Sequence, residues 1–178
     1  MKPDFGKKVN WMPVAMLIGI SGILSCTLNP LTARAQTPLD PQTEQAMIDS
    51  INDEYRARAF YNAVIEKFGE VRPFSNIVHS EGNHVNLWVN LFERYGVAVP
   101  PDEFAGQMSA PDTLQAACAM GVEAEIDNVQ MYDRFLEFVT QPDLQAAFRR
   151  LRQISEERHL KAFERCQNNA GGRGGRSF

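Results

Sequence analysis

Apolar residues recur at intervals of three and four in four segments of this 178-residue chain, and no stretch alternates with a period of two. That pattern predicts an all-α domain. The first segment runs from about Thr43 to Phe68, with Met47, Ile51, Glu54, Tyr61, Ile65 and Phe68 on one stripe. The second runs from about Pro73 to Tyr95, and its stripe is Phe74, Ile77, Glu81, His84, Trp88, Leu91 and Tyr95. Gly69 and Gly96 follow the last apolar residues, where glycine is the expected helix stop. The third segment begins near Pro111-Asp112 and turns Leu114, Cys118, Gly121, Glu125, Tyr132 and Phe135 inward. The fourth follows Gln141-Pro142-Asp143 and carries Leu144, Phe148, Leu151, Ser155, His159, Ala162 and Cys166, with Glu156 on its flank.

Connection lengths predict the topology. The first and second helices, and the third and fourth, are joined by a few residues, so each pair is an antiparallel hairpin. Val97 to Ala110 is long enough to span roughly 45 Å when extended, against roughly 35 Å for a helix of this length. It can cross the whole domain, which predicts a four-helix bundle of two hairpins joined by a long crossover.

The stripes are apolar except for ionisable groups that recur in order. Ser-Glu-x-x-His occurs twice, at Ser80-Glu81-Gly82-Asn83-His84 and Ser155-Glu156-Glu157-Arg158-His159, and uses two of the three histidines. On a helix, positions three apart share a face, so each pair aims a carboxylate and an imidazole at one point. Upstream of each stands a single glutamate, Glu54 or Glu125, followed seven residues on by Tyr61 or Tyr132. The order Glu, Tyr, Ser-Glu-x-x-His therefore repeats, as a duplicated hairpin would. Counted from the turns near Glu70 and Gln141, all six residues fall within about one helical turn of a single layer. Burying such groups without partners costs several kcal/mol each, and metal ions offset that for all of them together. Glu54, Glu81, His84, Glu125, Glu156 and His159 are the expected ligands. His79, Glu123, Asp127 and Glu157 fall off the stripes. Gly82-Asn83 is poor helix chemistry and is expected to mark a bend beside His84.

The first forty residues read differently. Lys2, Lys7 and Lys8 precede an apolar run from Trp11 to Leu28, and Ala33-Arg34-Ala35 is a small-x-small cleavage site. Residues 1–35 are thus expected to be a secretory signal peptide, placing the mature protein in the periplasm or outside the cell. Two alternatives stay open: an uncleaved anchor, and a lipoprotein acylated at Cys26 of Ile23-Leu24-Ser25-Cys26, a lipobox weakened by the bulky Leu24. Cleavage would move the formal charge from −4 to about −7, a surface that attracts cations and disfavours nucleic acid and anionic membrane. Residues 36–168 form the expected domain, and 169–178 a disordered Gly/Arg tail. Cys118 and Cys166 fall level on facing helices, with Gly121 nearby; a disulfide and two reduced core cysteines are both open.

At Glu54-Tyr55-Arg56-Ala57-Arg58-Ala59-Phe60-Tyr61, Phe74-Ser75-Asn76-Ile77, Glu93-Arg94-Tyr95-Gly96 and Gly121-Val122-Glu123-Ala124-Glu125 the chain resembles the ferritin-like superfamily. More closely, it looks like a poorly characterised ferritin-like domain family of bacteria and archaea. The resemblance covers about Asp49 to Cys166. It implies that Glu54 and His84 serve one metal ion and Glu125 and His159 the other, with Glu81 and Glu156 bridging. It also implies that Tyr61 could donate an electron, with Tyr132 as its counterpart.

An oxygen-rich site of four carboxylates and two imidazoles suits two iron ions, with manganese or zinc as alternatives. The leading expectation is an exported di-iron protein, a monomer or dimer, that oxidises Fe(II) with oxygen or peroxide. A non-enzymatic metal buffer or sensor, and a purely structural helical bundle, are the alternatives.

Overall fold

The computed structural model describes residues 38–172 and the side chains of residues 38–170. The segment expected to be a signal peptide, with Cys26, and the last six residues of the chain lie outside the described residues. Within them the protein is all-helical, with no strand. No described helix is long and apolar enough to cross a membrane.

Helix α1 spans Pro41–Phe68. Asp40 caps it: its Oδ1 accepts from the Thr43 amide at 2.9 Å and its Oδ2 from the Thr43 hydroxyl at 2.7 Å, satisfying a free donor of the first turn. Gly69 ends it with φ 82°, its amide bonded to Ile65 O. Helix α2 spans Phe74–Tyr95 and stops at left-handed Gly96, φ 67°. It stays α-helical through Gly82 and Asn83. A Cβ at Gly82 would meet nothing within 4 Å.

Helix α3 spans Leu114–Leu136 behind a Thr113 cap that accepts from the Ala116 amide. Helix α4, Pro142–Ile154, then passes through a π turn, Ser155–His159, into α5, Leu160–Gly172. Helix thus continues past residue 168, where a disordered tail was expected to begin.

The π turn has a sequence cause. Leu151, Ser155, His159 and Phe163 are all buried and all spaced by four. An α-helix has 3.6 residues per turn, so three steps of four drift by about 120°. One wider turn takes up that drift and keeps the whole row facing inward.

Helix α1 packs along α2, and α3 packs along α4 and α5. The connection after Gly96 runs back beside α1. Asp102 pairs with Arg58 at 2.8 Å, Phe104 lies under the Arg56 guanidinium, and Lys67 donates to Pro111 O. Helix α3 therefore starts at the end where α1 finishes, whereas α2 finishes beside the start of α4, where Arg94 meets Asp143.

Cys118 and Cys166 are disulfide-bonded, their Cα atoms 5.7 Å apart. Close approach of α3 and α5 depends on Gly121, where a Cβ would lie 2.6 Å from the Phe163 ring.

Two apolar clusters fill the interior. Met47, Ile51, Trp88, Phe92, Tyr132, Leu144, Phe148 and Leu151 anchor one. Phe60, Tyr61, Val64, Phe74, Ala117, Cys118 and Phe163 anchor the other. Between them lies a layer of buried polar side chains.

Candidate metal centre

Five of the six expected ligands converge in that layer. Glu54, Glu81, His84, Glu125 and His159 are all buried. They form two groups, Glu54–Glu81–His84 and Glu81–Glu125–His159, whose donor atoms lie within 4.8 Å of one another in each group. Glu81 belongs to both. Its Oε2 is 2.8 Å from His84 Nδ1 and its Oε1 is 3.2 Å from His159 Nδ1. Glu54 Oε2 lies 3.1 Å from His84 Nδ1, and Glu125 Oε1 lies 3.4 Å from His159 Nδ1. The imidazoles face each other with ring centroids 5.8 Å apart.

Glu156, the sixth, is elsewhere. It is exposed and accepts a 2.7 Å bond from Arg152, which also pairs with Asp133. In the wider π turn three residues fall further short of a full circle than in an α-helix, so Glu156 does not share the face of His159. Ser155, four residues before His159, takes the inward direction instead. The unbroken spacing of four from Leu151 to Phe163 was the signal in the sequence.

The two tyrosines cross between hairpins. Tyr61, seven residues after Glu54, donates to Glu125 Oε1 at 3.0 Å; Tyr132, seven residues after Glu125, donates to Glu54 Oε1 at 2.8 Å. Each hairpin's tyrosine holds the other hairpin's glutamate.

The two Ser-Glu-x-x-His motifs use their serines differently. Ser80 Oγ lies 3.2 Å from His84 Nε2. Accepting from Nε2–H, it leaves Nδ1 facing the carboxylates, the orientation that a histidine ligand needs. Ser155 instead donates to Asn128 Oδ1 at 2.7 Å, and Asn128 Nδ2 donates to Asp53 Oδ2 at 2.6 Å. Asp53 and Asn128 were not expected at the site. Asn128 could have been found as the residue three after Glu125, on the same face of α3. His79, Glu123, Asp127 and Glu157 are exposed, as their spacing implies.

Protonation follows from burial and these bonds. Burial pushes Glu54 up to about 8, with the charge of Glu81 adding to the effect and His84 opposing it. Burial also disfavours the Glu81 carboxylate, but hydrogen bonds with His159, His84 and Glu54 outweigh it and hold Glu81 below the usual range. Burial works against charged His84, yet its bonds to Glu54 and Glu81 lift it to about 10. The same competition, with Glu125 and Glu81, lifts His159 to about 9. Burial raises Asp53 to about 6 despite its bond from Asn128. Burial and the nearby carboxylates hold Tyr61 and Tyr132 well above the usual phenol value, so both stay protonated donors. Without metal these shifts favour imidazolium at His84 and His159, a proton on Glu54 and an ionised Glu81.

A cavity of about 250 Å³ opens between α1 and α3 onto Glu54, Glu81 and Glu125. Ala57 and Ala124 leave the space, Met108 and Met120 line it further, and neither histidine reaches it.

No family model and no curated protein matches the sequence. Solved structures do match. A hypothetical protein from Methanococcus jannaschii superposes with a TM-score of 0.69 over 76% of this chain and 85% of its own, at 20% identity. At that identity the likeness is one of fold.

Proposed function

We propose that this chain is a ferritin-like four-helix protein holding a dinuclear metal centre, and that it oxidises Fe(II) with oxygen or peroxide. The observation that carries the reading is Glu81, whose two oxygens address two histidines on different helices. One carboxylate so placed joins two three-residue groups into a single site. The long connection alongside α1, which puts the start of α3 beside the end of α1, supports the ferritin-like topology. Export rests on the leader-like composition of residues 1–35 alone.

The donor set fits hard or borderline divalent ions: three carboxylates and two imidazoles, all buried, in two groups each close enough to share a cation. Glu54 and His84 would hold one ion, Glu125 and His159 the other, and Glu81 both. Iron bound there would supply the electrons that reduce oxygen or peroxide. The chain's own groups prepare the site. Tyr132 and Tyr61 fix the outer glutamates, Ser80 orients His84, and the cavity between α1 and α3 admits small molecules from the carboxylate side.

Anaerobic addition of Fe(II) followed by air tests the proposal. It expects two irons per chain and a rapid ferric absorbance. Oxidation no faster than a protein-free blank would leave a metal buffer, and no iron uptake would remove the centre altogether.

A purely structural role is favoured by one observation. Among the described residues, every buried polar side-chain atom of the cluster already has a hydrogen-bond partner. It predicts that Glu54, Glu81 and Glu125 can all be changed to Gln with no loss of bound metal, because none is bound.

A further inference from the structure

The five converging side chains leave a charge deficit. Glu54, Glu81 and Glu125 supply three negative charges and two ligating histidines are neutral, whereas two divalent ions bring four positive charges. An uncompensated charge in a buried site is strongly unfavourable. Glu156 would have closed the account, but it is turned outward and engaged by Arg152.

Glu123 and Asp127 line the cavity beside the cluster but are exposed, whereas Asp53 there is part-buried. It precedes Glu54 on α1, about 100° round the helix, so when Glu54 faces the cluster Asp53 faces the gap between α1 and α3. There it lines the same cavity as Glu54, Glu81 and Glu125. Its Oδ2 is held at 2.6 Å by Asn128, which accepts from Ser155, so Asp53 is tied to the π turn that carries His159. Its Oδ1 meets only Arg56, at 3.4 Å, through a guanidinium that is half exposed. An ion pair so solvated neutralises little.

We infer that Asp53 replaces Glu156 as the fourth carboxylate of the centre, contributing its charge from the cavity side to the ion held by Glu125 and His159. The inference rests on the two-metal reading and adds to it a residue outside the Glu-x-x-His motifs. Its consequence would be an asymmetric centre, in which the side of Glu125 and His159 gains a carboxylate from the cavity wall and the side of Glu54 and His84 does not. The Asp53–Asn128–Ser155 chain then has a purpose: it fixes the carboxylate at that wall.

Titration with Co(II) under argon, followed by calorimetry and the visible absorption of the bound ion, tests this without turnover. Four proteins are compared: wild type, Asp53→Asn, Asp53→Glu and Glu156→Gln. Asn keeps an oxygen for Asn128, and an unchanged circular dichroism spectrum confirms the fold. The expected result is two ions for wild type and for Glu156→Gln, with affinities within about threefold. For Asp53→Asn, one ion should bind as in wild type and the second about tenfold or more weakly, the size of effect seen when a supporting carboxylate is lost. Asp53→Glu should recover part of the loss. Equal binding by Asp53→Asn and wild type would overturn the role of Asp53 while leaving the two-metal centre intact. Loss of the second ion in Glu156→Gln would return that role to Glu156. Fewer than two ions in wild type would overturn the two-metal reading, and this inference with it.

Discussion

The Tyr132 hydroxyl donates a 2.8 Å hydrogen bond to Glu54 Oε1, joining residues 78 apart on different hairpins. Tyr61 makes the reciprocal bond to Glu125. The two hairpins are thus tied through the outer ligands of the proposed centre. Tyr132→Phe and Tyr61→Phe should each cost about 1–3 kcal/mol, since each leaves a buried carboxylate short of a donor. Urea denaturation of the metal-free protein measures this. Values near zero would mean that the hydroxyls do not hold the glutamates in solution. If Tyr61 is an electron donor, Tyr61→Phe should also slow Fe(II) oxidation when Tyr132→Phe does not.

Stability and metal affinity should respond to pH in opposite directions. The folded-state values of His84 and His159 lie above the ordinary histidine value, at about 10 and about 9. Their stabilisation is therefore complete below about pH 6.5 and lost as pH rises through those values. Glu54, raised to about 8, acts in the same direction from its own ordinary value upward. Glu81 is lowered, so its contribution disappears only as pH falls below the usual carboxylate range. With a chelator present, the thermal midpoint should fall between about pH 6 and about pH 10. Metal must displace these protons, so Co(II) affinity should rise over the same interval. A chelated protein that gains stability toward alkaline pH would contradict the imidazolium–carboxylate arrangement.

Ser80 and Ser155 occupy the same place in the repeated motif but touch different partners. Ser80→Ala frees the Nε2 side of His84 and should weaken binding of one metal ion about 10–100-fold. Ser155→Ala removes no hydrogen bond from His159, so any weakening of the second ion should come through Asn128 and Asp53 and should disappear in an Asp53→Asn background. A Ser155→Ala loss that persists undiminished in the Asp53→Asn background, read by Co(II) titration, would show that Ser155 acts on His159 as Ser80 acts on His84.

Two glycines should respond in opposite ways to alanine. Gly82 lies in a continuous helix with open space around a new Cβ, so Gly82→Ala should stabilise by about 1 kcal/mol. At Gly121 the Cβ would press into the Phe163 ring, and Gly121→Ala should destabilise by about 1–3 kcal/mol. Thermal melts of the two variants provide the comparison.

The extent of α1 and α2 was legible because glycines stop both helices and their apolar stripes run true to 3.6 residues per turn. Glu54, Glu81, His84 and Glu125 were legible for the same reason, as ionisable residues on otherwise apolar stripes. The fourth helix was legible in its inward row through Ser155 and His159, but not in its pitch beyond Leu151. Beyond it, the motif Ser155-Glu156-Glu157-Arg158-His159 was read with α-helical spacing, and the π turn rotates Glu156 out of the layer.

By itself, then, the sequence determined the helices, the inward row on each and one layer for two histidines with Glu54, Glu81 and Glu125, to which it wrongly added Glu156. Those features depend on periodicity, which is local. Only the tertiary structure decided that Glu81 faces both histidines, that each tyrosine serves the opposite hairpin and that Asp53 rather than Glu156 lines the cavity beside the cluster. These depend on how far each helix is turned about its own axis when packed, and one wide turn in a single helix is enough to exchange one carboxylate for another.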